Sequence, residues 1–219
     1  MLRYPCLVLD HDDTVVQSEK TINYPCFCRT LEKIRPGQTI SLQEYFHGCC
    51  DLGFMEMCRQ KFHFTEEELY DEYLDWKEYI RTHIPDPFPG IDRIIHRQKA
   101  AGGLVCVVSH SSEDIIKRDY LAHFAMLPDA IYGRELSESQ QKPSTYPLEH
   151  IMQTYNLSPS QILVVDDLRP AYEMASKAGV PIAFAKWGKP DSPKICQEMQ
   201  TLCDYTFESP PTLEQFLFD

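Results

Sequence analysis

Cys6-Leu7-Val8-Leu9-Asp10-His11-Asp12-Asp13-Thr14 is a short apolar run that breaks abruptly into aspartates. Two later stretches have the same form. Leu104-Val105-Cys106-Val107-Val108 ends on Ser109, and Ile162-Leu163-Val164-Val165 ends on Asp166-Asp167. Apolar runs this short and unbroken read as strands buried on both faces, the signature of a parallel sheet. Ala130-Ile131-Tyr132 and Ile182-Ala183-Phe184-Ala185 are weaker strand candidates.

Helical spacing fills the gaps between these runs. Ile91, Ile94, Ile95 and Gln98 recur at helical intervals before Gly102-Gly103, and Ile116, Tyr120 and Phe124 fall four apart. Ala171, Met174, Ala175 and Ala178 follow the same period and stop at Gly179, a residue suited to a helix C-terminus. Ser158-Pro159-Ser160-Gln161 reads as a capping box with proline at the first helical position. Alternating strands and helices predict an α/β core with a doubly wound, Rossmann-like parallel sheet.

Residues 16–87 break this rhythm. Thr65-Glu66-Glu67-Glu68 is a second capping box, and Leu69, Tyr73, Trp76 and Ile80 continue from it at helical spacing. Pro85-Asp86-Pro87-Phe88-Pro89-Gly90 is a stiff, non-helical link. The expected organisation is a catalytic core of residues 1–15 and 88–219, with a helical cap domain of residues 16–87 inserted after the first strand.

The chain has 219 residues and a formal charge of −12, which repels polyanions and argues against nucleic acid or anionic membranes as partners. No stretch approaches the roughly 20 apolar residues that span a bilayer. The N-terminus shows no secretion-signal pattern. Nine cysteines without zinc-site spacing read as reduced thiols of a cytoplasmic protein.

Ligands of open α/β sheets bind outside the carboxyl ends of the strands. Asp10, Ser109 and Asp166-Asp167 end the three best strands there, and Lys142 lies in the loop before the helix leading to the third. Carboxylates crowded together need a cation or protons to coexist. An all-oxygen set suits Mg2+. A carboxylate facing a phosphate can attack it, a second acid can move the protons, and a lysine and a hydroxyl can hold the phosphoryl oxygens.

Four motifs in order carry a resemblance to the haloacid dehalogenase superfamily, in the subfamily with a helical cap after the first motif. They are Asp10-His11-Asp12-Asp13-Thr14, Val107-Val108-Ser109-His110, Lys142-Pro143 and Val164-Val165-Asp166-Asp167. Phe88-Pro89-Gly90 also resembles the family's return from its cap. The resemblance covers nearly the whole chain and extends to phosphoglycolate phosphatases and beta-phosphoglucomutases. It implies Asp10 as nucleophile and metal ligand, and Asp12 as general acid/base whose backbone carbonyl also meets the metal. It implies Ser109 and Lys142 as phosphate ligands, Asp167 as side-chain metal ligand, and Asp166 as a second or outer ligand. Asp13 and Thr14 would support the turn. The implied activity is Mg2+-dependent hydrolysis of a small phosphorylated metabolite through an aspartyl-phosphate, by a monomer or homodimer. A phosphomutase, a 2-haloacid dehalogenase and a non-catalytic binding protein are the competing readings.

Other candidates are open. His11 and His110 stand at the active edge as possible substrate or leaving-group contacts. Arg29, Lys33, Arg35, Arg59 and Lys61 are candidates for the distal part of a substrate, as is His47-Gly48 in an expected loop. The Leu69-Tyr73-Trp76-Ile80 stripe reads as the core of the insert.

Overall fold

The structure, a computed structural model, describes residues 2–189 and 192–219. Strands β1 (Cys6–Leu9), β2 (Leu104–Val108), β3 (Ala130–Tyr132), β4 (Ile162–Asp166), β5 (Ile182–Ala185) and β6 (Tyr205–Phe207) form one sheet. Every neighbouring pair is parallel, and the order is β3-β2-β1-β4-β5-β6. The doubly wound reading is therefore correct. The direction of strand succession reverses between β1 and β4, which is where such sheets place their ligands.

The chain divides into two compact units, residues 1–16, 87–190 and 194–219 forming one and 17–86 with 191–193 the other. The second contains α1 (Tyr24–Ile34), α2 (Leu42–Asp51), α3 (Phe54–Phe62) and α4 (Glu66–Thr82). The first adds α5 (Ile91–Ala100), α6 (Glu113–Phe124), α7 (Tyr146–Tyr155), α8 (Arg169–Ala178), α9 (Pro193–Leu202) and α10 (Pro210–Phe218).

Strand alternation sorts the core of the α/β unit onto two faces. Leu7, Leu9, Val105, Val107, Leu163 and Val165 face one way, against Ile94 and Ile95 of α5, Tyr120 of α6 and Leu213 of α10. Cys6, Val8, Cys106, Ile162 and Val164 face the other, against Ile151 of α7 and Met174 and Ala175 of α8. Complete burial of each large aliphatic side chain contributes about 2 kcal/mol. Leu9 pairs with Val107 on one side and Val165 on the other, so the central strands end almost level.

The helical unit has its own aromatic core. Phe27 lies 5.5 Å from Tyr45 and Phe62 and 5.6 Å from Phe54, ring centre to ring centre. Capping boxes start α2 at Ser41/Glu44 and α4 at Thr65/Glu68. The chain leaves the sheet and returns to it through paired backbone. Phe88 N donates to Val15 O at 3.0 Å, Val16 bridges Pro87 antiparallel, and Gln17 N donates to Asp86 O at 2.8 Å.

Several local expectations need correction. The Ser158 box starts only a 3-10 turn, Pro159–Gln161, because β4 begins at Ile162. His47 and Gly48 lie inside α2, not in a loop, and a Cβ at Gly48 would meet Met57 Sδ at 2.4 Å. Along α4, only Leu69 of the expected core stripe is buried, while Tyr73 is 41% exposed. No described cysteine forms a disulfide; the side chain of Cys50 lies outside the described residues. No described helix is long and apolar enough to cross a membrane.

Candidate active site

The level strand ends bring the acids together. Asp10 follows β1 and donates its backbone N–H to Val165 O at 3.0 Å, locking it beside β4. Asp166 is the last residue of β4, and Asp167 follows it. Carboxylate oxygens of Asp10, Asp166 and Asp167 lie within 4.8 Å of one another, and all three residues are buried.

Lys142 reaches this cluster from the loop before α7. Its Nζ donates to Asp10 Oδ1 at 3.0 Å and to Asp166 Oδ2 at 2.7 Å. Burial alone would lower the lysine pKa, but Asp10 and Asp166 outweigh it and hold the amine above its usual range. Burial also pushes the Asp166 and Asp167 carboxyls above the usual range, against the opposing pull of Lys142 and Lys189 respectively.

Lys189 is a second buried cation that the sequence reading did not single out. It ion-pairs with Asp13 Oδ2 at 2.5 Å and Asp167 Oδ2 at 3.0 Å. Only its chain position after β5 hinted at this role, since a lone lysine otherwise reads as solvated. Gly188 lets the loop come this close, because a Cβ there would lie 1.9 Å from Asp13 O. The neighbouring Trp187 donates its indole N–H to Thr14 O at 3.0 Å, clamping the same turn. Asp13 takes a left-handed backbone, φ 55°, and its N–H donates to Val16 O at 2.7 Å.

Asp12 is half-buried and stands apart from the carboxylate group. Its Oδ2 accepts a hydrogen bond from Ser111 Oγ, another contact not anticipated from sequence. Ser109 follows β2, and its Oγ accepts the Ser111 N–H at 3.2 Å. Ser109 thus organises its own loop and does not cap α6, whose N-cap is Ser112. His110 is exposed, with Nε2 at 3.3 Å from Lys142 O.

His11 is absent from the active edge. It keeps the parity of Leu7 and Leu9 and turns its ring into the interior, where Nε2 lies 3.0 Å from Asp119 Oδ2. Both side chains are fully buried. His11 therefore supports the turn from behind, its ring held against Asp119 and Tyr120. The basic candidates of the helical unit are also committed internally. Lys33 pairs with Asp75, Arg35 with Glu68, Arg59 with Glu66 and Lys61 with Glu44, and Arg29 sits over the Tyr79 ring.

The donor chemistry fits a hard cation. Asp10, Asp13, Asp166 and Asp167 are four buried acids facing two buried amines, Lys142 and Lys189. With all four acids ionised they would exceed the amines by two charges, which a divalent ion would offset among oxygen ligands of the kind such ions prefer.

A family model described as haloacid dehalogenase-like hydrolase matches residues 7–185, and the chain belongs to that family. Its fold is shared by solved structures of low sequence identity. One is a predicted phosphoglycolate phosphatase from Haemophilus somnus 129PT, with TM-score 0.79, 20% identity and 99% of each chain covered. Another is CbbY from Rhodobacter sphaeroides in complex with phosphate, with TM-score 0.65, 16% identity, and 97% of this chain and 96% of that one covered. An Asp-to-Asn mutant of that protein in complex with xylulose-1,5-bisphosphate gives TM-score 0.63 at 16% identity, with 95% of each chain covered. No curated protein matches the sequence significantly.

Proposed function

We propose that this hydrolase is a Mg2+-dependent phosphatase acting on a small phosphorylated metabolite. The observation that carries the reading is the grouping of Asp10, Asp166 and Asp167 around Lys142 at the ends of adjacent strands. The phosphate and bisphosphate held by the structural neighbour support the substrate class.

Asp10, Asp167 and the backbone carbonyl of Asp12 would hold the ion, with Asp166 as a second or outer ligand. Asp166 accepts Lys142 at Oδ2, 2.7 Å, and Leu168 N at Oδ1, 2.9 Å, whereas Asp167 Oδ1 accepts the longer Thr14 Oγ1 bond at 3.4 Å and its Oδ2 pairs with Lys189 at 3.0 Å; the weaker hold on Asp167 Oδ1 supports Asp167 as the direct ligand. When bound, the ion offsets negative charge on the phosphoryl oxygens and the carboxylates.

In the proposed reaction an Asp10 oxygen attacks phosphorus while the bond to the leaving oxygen breaks. Asp12 gives that oxygen its proton. It then takes a proton from the water that attacks the aspartyl-phosphate, releasing inorganic phosphate and restoring the Asp10 carboxylate. Ser111 orients Asp12 for both transfers. Lys142, Ser109 and, at the edge, His110 hold the transferring group. A reducing compartment, the cytoplasm, fits described cysteines that form no disulfide.

Phosphate release from a generic phosphomonoester tests the reading. Activity should vanish with chelator, return with Mg2+, and fall at least about a thousandfold in Asp10→Asn. Asp12→Asn should lose about 100- to 10,000-fold. Undiminished turnover in Asp10→Asn refutes the assignment. Discharge of trapped phosphoenzyme by a sugar phosphate rather than water would instead make the protein a phosphomutase.

A further inference from the structure

The helical unit contains a cavity of about 750 Å³, built by the start of the insert and by α2, α3 and α4. Its apolar walls include the rings of Tyr45, Phe54, Tyr70, Tyr73 and Trp76. Its charged lining is of one sign. Glu19, Glu66 and Glu72 border it, and no lysine or arginine does among the described residues. Glu66 is already paired with Arg59, and Glu72 is the acid of the buried floor.

Glu72 is the decisive residue. It is 6% exposed, with its carboxyl in the lining of an otherwise largely apolar site. Desolvation and the nearby Asp75 raise its pKa from 4.5 to about 7. An apolar cavity gains nothing from a buried carboxyl unless a donor or cation comes to meet it.

The walls are held in place by a chain of hydrogen bonds. Trp76 Nε1 donates to Asn23 Oδ1 at 2.9 Å, and Asn23 Nδ2 donates to Glu19 Oε1 at 3.0 Å. That chain fixes the indole plane, and Tyr73 stacks on it at 6.2 Å. Ring faces carry negative quadrupole charge and attract ammonium groups, most strongly where water is excluded. One such contact already exists, with Lys77 Nζ 5.5 Å over the Tyr73 ring.

We propose that this cavity is a binding site for a compact organic ammonium group, held between the aromatic faces and the Glu72 carboxylate. Tyr45 and Glu72 form the buried floor, and Tyr70, 61% exposed, stands at the rim. The site belongs to the helical unit alone, and its occupancy does not depend on the phosphatase reading.

Equilibrium titration of the full-length protein provides the test, by calorimetry and by intrinsic tryptophan fluorescence. The probe is choline, and the control is its uncharged carbon isostere dimethylbutanol. Saturable choline binding should be at least about tenfold tighter than that of the isostere. Glu72→Gln, which keeps the shape of the floor, should abolish the preference. Tyr70→Ala, at an exposed position that leaves the fold intact, should weaken choline about fivefold or more. Equal affinity for the two probes, no saturable choline binding, or an unchanged preference in Glu72→Gln overturns the proposal.

Discussion

Asp119→Ala should damage an active site that Asp119 does not line. The carboxylate of Asp119 lies 3.0 Å from His11 Nε2 and 2.7 Å from Arg118 Nε. Asp119 and His11 are fully enclosed, whereas the Arg118 side chain is 27% exposed and can turn to water once released. The substitution strands a fully enclosed imidazole donor, whose cost lies at the upper end of the range for an unsatisfied buried group, so destabilisation of about 3 kcal/mol is expected. For a chain of this size that is roughly 6–12 °C in Tm. His11 O accepts the N–H groups of Val15 at 2.9 Å and Val16 at 3.1 Å, so a displaced ring shifts the turn bearing Asp10 and Asp12. Turnover should therefore fall about tenfold or more. Urea denaturation of Asp119→Leu, His11→Leu and the double variant gives the coupling. The double variant should be more stable than the sum of the singles by at least about 1.5 kcal/mol, since it leaves no orphaned polar group. Additive losses, or an Asp119→Ala protein as stable and active as the wild type, would refute the supporting role of the pair.

Lys142→Met leaves Asp10 and Asp166 facing each other without their shared amine. Steady-state kinetics should show a loss of about 100-fold or more with the fold retained by circular dichroism. Gly188→Ala drives a methyl group into Asp13 O, a backbone atom pinned by its turn, so a stability loss of about 2 kcal/mol is expected in thermal melts. Glu72 has a folded pKa of about 7 against an ordinary 4.5, so the fold favours its protonated form. That contribution is complete below about pH 4.5, is lost as pH rises through 7, and amounts to about 3 kcal/mol. Melts at pH 5 and pH 8 should show this decline in the wild type and not in Glu72→Gln.

The central strands were legible because Leu7–Leu9, Val105–Val108 and Ile162–Val165 are buried on both faces and so carry no polar interruption. β6 was not, because Tyr205-Thr206-Phe207 is a half-buried edge strand with a polar centre. The acids at the strand ends could be placed because neighbouring parallel strands held in this register end nearly level. Lys189 and Ser111 could not, since each acts through a loop whose approach depends on tertiary closeness, such as that of Gly188 to Asp13. His11 was misplaced for a related reason. A polar residue between two site aspartates invites a functional reading, but backbone parity sends its ring to the opposite face, and its partner lies 108 positions away. The stripe on α4 was read as core from spacing alone, and spacing does not distinguish a face filled by neighbours from one left open to a cavity.

The paired backbone at Val15–Phe88, Val16–Pro87 and Gln17–Asp86 has a genetic consequence. The two ends of a 70-residue insert emerge side by side, so the sheet registers the insert as little more than a hairpin turn. A gene could exchange one such insert for another of different size or chemistry at a single pair of junctions without disturbing the spacing of Asp10, Asp166 and Asp167. The insert and the strand-end acids are then free to diversify at separate rates, and junctions at these same residues should yield folded chimaeras.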